Sequence, residues 1–238
     1  MVAKIKLLSR LTPLLFVFAP FFAQSNMTVY PMAVSINSQG EGNVRVISKS
    51  NEVQYIKATV FRIDNPSTPQ ENEVEIKSGD ANHLVVMPPK FALPAGSSKT
   101  VRFVAMEPEQ KEKNYRAKFE AVPSIDDVAT DKKDLSMQLT VNLIWGIVVS
   151  VPPQQPIAKL EVNPAKKLFN AGNQRLKLLT IAYCKNNSKD NCKMQTVNKN
   201  IFPGQEINLE SISGYDKIVV KYNNWITKDN GEFELAIH

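Results

Sequence analysis

Histidine, glycine and cysteine are scarce in this chain, and each scarcity removes a class of chemistry. His83 and His238 are the two histidines in 238 residues. They are too few and too far apart for a histidine-rich metal site or for a triad with an evident partner. The nine glycines include no Gly-rich phosphate loop placed after a strand. Cys184 and Cys192 do not have the Cys-x-x-Cys spacing of redox catalysts. No helical period persists beyond two turns. Positive charge exceeds negative, at +6, but the excess is scattered. No basic stripe or basic amphipathic helix marks a nucleic-acid or membrane surface. Carboxylates such as Asp126 and Asp127 fall in polar runs, 107–114 and 124–134, that read as solvated loops. The expectation is a protein that is not an enzyme, with no metal, no cofactor and no nucleic-acid partner.

What is present begins with a leader. Lys4, Lys6 and Arg10 precede an apolar run from Leu11 to Ala23 that is interrupted by Thr12, Pro13 and Pro20. It closes on Ala23-Gln-Ser25, a small-x-small cleavage pattern. Residues 1–25 therefore read as a secretory signal peptide. Removing them takes away three positive charges and lowers the net charge from +6 to +3. No later segment reaches the roughly 18 apolar residues of a membrane-spanning helix, so the expected product is exported and carries no membrane span.

The body of the chain is rich in strand signals. The runs 44–48, 53–63, 84–87, 100–105 and 115–122 are short and dense in Val, Ile, Phe and Tyr. Turn clusters such as Asn37–Asn43, Asn65–Pro69 and Leu93–Ser97 separate them. About seven strands at this spacing predict an immunoglobulin-like sandwich over residues 26–151. Three prolines, Pro152, Pro153 and Pro156, then interrupt the pattern as a stiff extended connector over 152–156. Strand signals resume at 159–162, 176–184, 194–197, 207–209, 217–222 and 232–237, predicting a smaller β-sandwich over 157–238. Cys184 and Cys192 frame the polar loop Lys-Asn-Asn-Ser-Lys-Asp-Asn. In an exported protein that arrangement predicts a disulfide pinning the loop.

One stretch is more regular than the rest. Leu135, Met137, Leu139, Val141 and Leu143 alternate strictly with Ser136, Gln138, Thr140 and Asn142. Successive strand side chains point to opposite faces, so this is a strand with one wholly apolar side. From Ile144 to Val149 both parities are apolar except at Gly146, which predicts burial on both sides there. The charged Asp131–Asp134 stands before it like a gatekeeper against mispairing. The plain reading is a core strand. The sharper one is a strand that lends its apolar face to another protein.

The order of motifs resembles the periplasmic pilus chaperones of the PapD-like superfamily. Val86–Arg102 reads Val-Met-Pro-Pro-Lys-Phe-Ala-Leu-Pro-Ala-Gly-Ser-Ser-Lys-Thr-Val-Arg: an apolar strand, Pro-Pro, a turn and a strand carrying Arg. Tyr115–Pro123 is similar to the family's next strand, and the alternating strand follows after a charged loop. The details resemble the alpha-type chaperones of colonisation-factor fimbriae. Those details are Asn26–Pro31, Ser48–Lys57, Ser136–Asn142, and the Tyr183-Cys184 to Cys192-Lys193 loop followed by Asn198–Pro203.

The resemblance implies two immunoglobulin-like domains in an L or boomerang, located in the periplasm. It implies that the apolar face of Leu135, Met137, Leu139, Val141 and Leu143 is donated, by β-augmentation, to a fimbrial subunit, before transfer to an outer-membrane usher. Family members clamp the subunit's C-terminal carboxylate with an Arg in the first strand and a Lys late in the donor strand. Here the first position falls near Met32, and the second falls within 145–149, which holds no basic residue. Arg116 and Lys118 are the candidate substitutes. The alternative is a structural or tip component of a fimbria. Such a component would carry a free alternating arm before its first strand, whereas this chain, once processed, starts at Asn26-Met-Thr-Val-Tyr-Pro31.

Overall fold

Alternation of apolar and polar residues builds four sheets in the computed structural model, which describes residues 26–77, 84–107, 109–122, 143–185, 191–210 and 213–237. The first sheet joins β1 (Met27–Tyr30), β3 (Glu41–Ser48), β8 (Ser98–Ala105) and β6 (Leu84–Met87) in the order β1-β3-β8-β6. Facing it are β2 (Ala33–Ser35), β10 (Trp145–Val151), β9 (Lys113–Val122), β4 (Gln54–Asp64) and β5 (Asn72–Glu75). They lie in the order β2-β10-β9-β4-β5, and β7 (Lys90–Leu93) also pairs with β4. Alternate residues of each strand turn inward. Val44 and Val46, Ile56, Ala58 and Val60, Val101 and Phe103, Tyr115, Ala117 and Phe119, and Ile147 and Val149 form one buried cluster. Filling the gap between two sheets in this way is what the period-2 pattern requires.

A second, separate cluster lies between β11 (Leu160–Val162), β12 (Lys167–Asn170) and β15 (Glu206–Asn208) on one side and β14 (Cys192–Ile201), β13 (Leu176–Cys184), β16 (Lys217–Asn224) and β17 (Asn230–Ala236) on the other. Strand β13 shows how register obeys burial. Leu176 and Leu178 face inward, a bulge intervenes between Leu178 and Thr180, and Ile181 and Tyr183 then face inward. One extra residue switches parity, so both halves of the strand keep their large side chains in the core. No helix among the described residues is long and apolar enough to cross a membrane.

The chain is all-β and immunoglobulin-like, as expected. The differences from expectation are local. Ten strands, rather than about seven, occupy residues 26–151 among the described residues. β1, β2, β5 and β7 have three or four residues each and lie beside turn or proline signals, so their apolar patterns are too short to stand out. β12 is missed for the same reason. β14 runs from 192 to 201 instead of 194 to 197 because it is an edge strand, half of whose side chains are polar and exposed. The run 107–114 is not simply a solvated loop. Glu112 and Asn114 are buried, and β9 begins at Lys113. Nor is 144–149 buried on both sides: Ile144 is 55% exposed and Val148 half-buried.

Cys184 and Cys192 are directly opposed at the β13–β14 end, with Cα atoms 4.1 Å apart, and are disulfide-bonded. Closing so short a loop is worth somewhat under the ~3 kcal/mol of a 15-residue loop. Replacing both cysteines by Ala is expected to cost no more than that in denaturant unfolding. Thiol titration of the unfolded, unreduced protein should find no free thiol, and two would contradict the bond.

Candidate functional site

The alternating stretch leads into β10, so the placement of β10 decides where that stretch emerges. Leu135, Met137, Leu139 and Val141 lie outside the described residues. Leu143 is the first of the series to be described, and it is 51% exposed. Two residues on, β10 is held on both sides. It pairs antiparallel with β9 from Trp145 opposite Phe119 to Val151 opposite Lys113, and parallel with β2 from Val148 opposite Ala33 to Ser150 opposite Ser35. Ile147, Val149 and Val151 are its buried apolar side chains, and Trp145 packs partly against the same cluster. All have odd numbers, the parity of the whole apolar series 135–143.

The other parity of β10, apart from the buried Ser150, faces outward with β9. Val148 lies opposite Arg116 and Gly146 opposite Lys118. Arg116 and Lys118 converge on one carboxylate. Arg116 Nε donates to Glu73 Oε1 at 2.5 Å, and Lys118 Nζ lies 2.7 Å from Glu73 Oε2. Glu71 adds a looser contact, 3.6 Å from Arg116. Lys118 Nζ also sits 4.2 Å above the centre of the Phe61 ring. Burial works to raise the Glu73 carboxyl, but the hydrogen bonds from Lys118 and Arg116 prevail and hold it below the usual glutamate value. The two cations offered as carboxylate contacts are therefore brought together on the outer face, where in this chain they hold Glu73. Met32 is 47% exposed, and its carbonyl accepts the Val148 N–H at 3.1 Å. Met32 and the stretch 145–149 thus meet here, and neither holds a basic residue.

A third feature carries no local sequence pattern. Glu112, just before β9, is buried and is met by three hydrogen bonds and one ion-pair contact. The Arg175 N–H (2.6 Å) and Trp225 Nε1 (2.9 Å) reach Oε2, while Asn114 Nδ2 (3.1 Å) and Arg175 Nη1 (3.2 Å) reach Oε1. Arg175 also donates to Asn114 Oδ1 and Ser150 Oγ, and its guanidinium stacks 4.3 Å from the Trp225 ring. Glu112, Asn114 and Ser150 belong to the first pair of sheets, and Arg175 and Trp225 border the strands of the second. Around this pair, Asn173 Nδ2 donates to the carbonyls of Gln110 and Gln155, Gln154 N–H donates to the Glu109 carbonyl, and Gln205 Nε2 reaches the Pro66 carbonyl. Burial pushes the Glu112 carboxyl up from its usual value, against the pull of Arg175 and the donated hydrogen bonds. Nothing in the sequence marks these partners, because they are 63 and 113 residues apart.

Removing one member of a buried ion pair strands the other and costs roughly 3–5 kcal/mol. Arg175→Met is expected to destabilise the chain by about that amount near neutral pH, and Glu112→Gln in the same chain to recover part of it. The sign with pH follows from the carboxylate. Without Arg175 the folded-state pKa of Glu112 rises further above its unfolded value, so the folded protein holds the extra proton and stability falls as pH rises through that window. The loss in Arg175→Met should therefore shrink as the pH is lowered. A loss independent of pH, with no recovery in the double variant, would contradict the pairing.

Comparison with known proteins gives one family throughout. Residues 27–146 match the model of the pili and flagellar-assembly chaperone, PapD N-terminal domain. The chain is 37% identical over 226 residues to a CFA/I fimbrial subunit of Escherichia coli, covering 92% of this chain and 94% of that protein. It is 32% identical over 209 residues to a CS1 fimbrial subunit of the same organism, covering 84% and 87%. Among solved structures it is similar to the class 5 fimbriae chaperone CfaA. The TM-score is 0.76 and the identity 32%, over 90% of this chain and all of that one. A chain of a chaperone–tip adhesin complex of CFA/I fimbriae biogenesis matches at a TM-score of 0.74 and 32% identity, covering 89% and 99%.

Proposed function

The chain belongs to the pili-assembly chaperone family, and from that premise we propose that it holds fimbrial subunits in the periplasm by donor-strand complementation, with residues 135–143 as the donated strand, before delivery to an outer-membrane usher. Family and fold both point to a non-enzymatic protein. The observation that carries the reading is the parity of β10. Ile147, Val149 and Val151 face the core, and the alternation keeps the same parity back to Leu135. A strand continued without a bulge would present Leu135, Met137, Leu139, Val141 and Leu143 from the core side of its own sandwich, in position to fill the groove of a partner lacking a strand.

The energetics suit a temporary hold. Five apolar side chains gaining ~1.5–3 kcal/mol each give a gross term of roughly 7–15 kcal/mol. Association and ordering cost several kcal/mol of that, which leaves a complex a competing strand can displace. The relative solved as a chaperone–tip adhesin complex supports fimbrial components as the partners. Although two relatives are named as fimbrial subunits, the family model and the solved relative are chaperones. Arg116 and Lys118 are the cations proposed to meet the partner's C-terminal carboxylate. The prolines at 152, 153 and 156 are proposed as the connector between domains 26–151 and 157–238, and residues 1–25, which lie outside the described residues, as the export signal.

Replacing Leu139 and Val141 together by Ser separates this reading from a closed core. For a donated strand the melt should stay near that of the parent, while capture of a small β-rich fimbrial protein from the periplasm, near one-to-one in the parent, is lost. A fall in Tm of about ten degrees or more would place the strand in an ordinary core, where truncations cost roughly 2–5 kcal/mol each. An unchanged melt with undiminished capture would put the binding face elsewhere.

A further inference from the structure

Arg116 and Lys118 lie on β9, the central strand of their sheet, and Glu73 lies on β5, a four-residue strand at the far edge. The three side chains are each about one-third exposed: 29%, 35% and 27%. The two carboxylate oxygens are divided between the two cations, Oε1 to Arg116 Nε and Oε2 to Lys118 Nζ. This geometry is that of a two-cation receptor for a single carboxylate, and charge-assisted bonds of this kind are the strong ones. With Glu71 beside Arg116, two positive charges meet two negative ones, and the patch is neutral.

We propose that Glu73 is a built-in stand-in for a partner's carboxylate: it occupies the Arg116–Lys118 receptor in the free chain and must be displaced before an incoming C-terminal carboxylate can bind. This rests on the reading of Arg116 and Lys118 as the partner's carboxylate contacts and adds their regulation. Three observations make the exchange physically reasonable. The stand-in and the ligand are the same chemical group, so the receptor needs no rebuilding. Glu73 is presented by the short edge strand β5, bound in its sheet, among the described residues, to β4 alone. Lys118 already lies over the Phe61 ring, whose negative face offsets part of its charge whichever carboxylate it meets. A ligand offering one isolated carboxylate would bind poorly, whereas one whose docked strand delivers the carboxylate at high effective concentration would win the exchange. The consequence is selectivity for partners that engage both sites.

The test uses a simple probe on the intact protein. An N-acetylated dipeptide with a free C-terminal carboxylate is titrated against the parent and Glu73→Gln, and the Arg116 Nε–H resonance is followed by NMR. The C-terminal amide of the same dipeptide serves as control. Glu73→Gln should bind the carboxylate form at least several-fold more tightly than the parent, with no response to the amide. Glu73→Asp should fall between them, since it keeps the charge but shortens the reach. Equal responses of parent and Glu73→Gln to the carboxylate would leave the receptor standing and overturn the stand-in. No carboxylate-specific response in any variant would overturn both the receptor and the stand-in.

Discussion

Side chains of a strand can change faces only through a bulge, and that constraint governs everything here that bears on a partner. β10 is clamped between β9 and β2, and its odd residues Ile147, Val149 and Val151 are committed to the core. The preceding apolar series carries the same parity. β13 shows the alternative: where the sequence needs to switch faces, the fold inserts a bulge between Leu178 and Thr180 and moves the large side chains from even to odd positions. The pattern from 135 to 151 contains no such phase break. A single interior face thus extends, in sequence, from the closed core to a segment that could complete another molecule's core.

A donated strand is of use only if its support is stiff, and the buried cluster around Glu112 is placed to supply that. The carboxylate receives donors from both pairs of sheets, and Arg175 is sandwiched between it and the Trp225 ring. The backbone around the prolines is tied into the same region through Gln154, Gln155 and Asn173. Burying a charge pair is an expensive way to gain stability. Its benefit here lies in geometry, since a buried pair with both carboxylate oxygens engaged allows few other arrangements. On the opposite, outward side of β9 the ionic chemistry is shallower and exchangeable, with Arg116, Lys118 and Glu73 each about one-third exposed. A buried ion pair thus lies just before this strand and a shallower one further along it.

The sequence made much of this legible where the pattern was local. Strands β6 and β13 lie where alternation and turn residues place them, and β4, β8, β9 and β16 differ by a few residues at their ends. The paired cysteines follow from a short polar loop in a chain expected to be exported. The short strands β1, β2, β5 and β7 were not legible, because three or four residues of mixed composition beside turn or proline signals carry no period, whereas β6 stood out as a wholly apolar run. Neither was the Glu112–Arg175–Trp225 cluster, whose members are ordinary polar and aromatic residues until the fold joins them. Arg116 and Lys118 were visible as cations on one strand face. Their shared engagement with Glu73 depends on the β9-β4-β5 order, which alternation alone cannot fix.

Amide hydrogen exchange on the free protein and on its complex with a fimbrial partner measures the donated strand directly. If residues 135–143 complete the partner's sheet, their amides should gain protection on binding, with alternate positions slowing most as they enter a new ladder. Protection that appears along the edges β14 or β17 while 135–143 exchange as in the free protein would contradict the account.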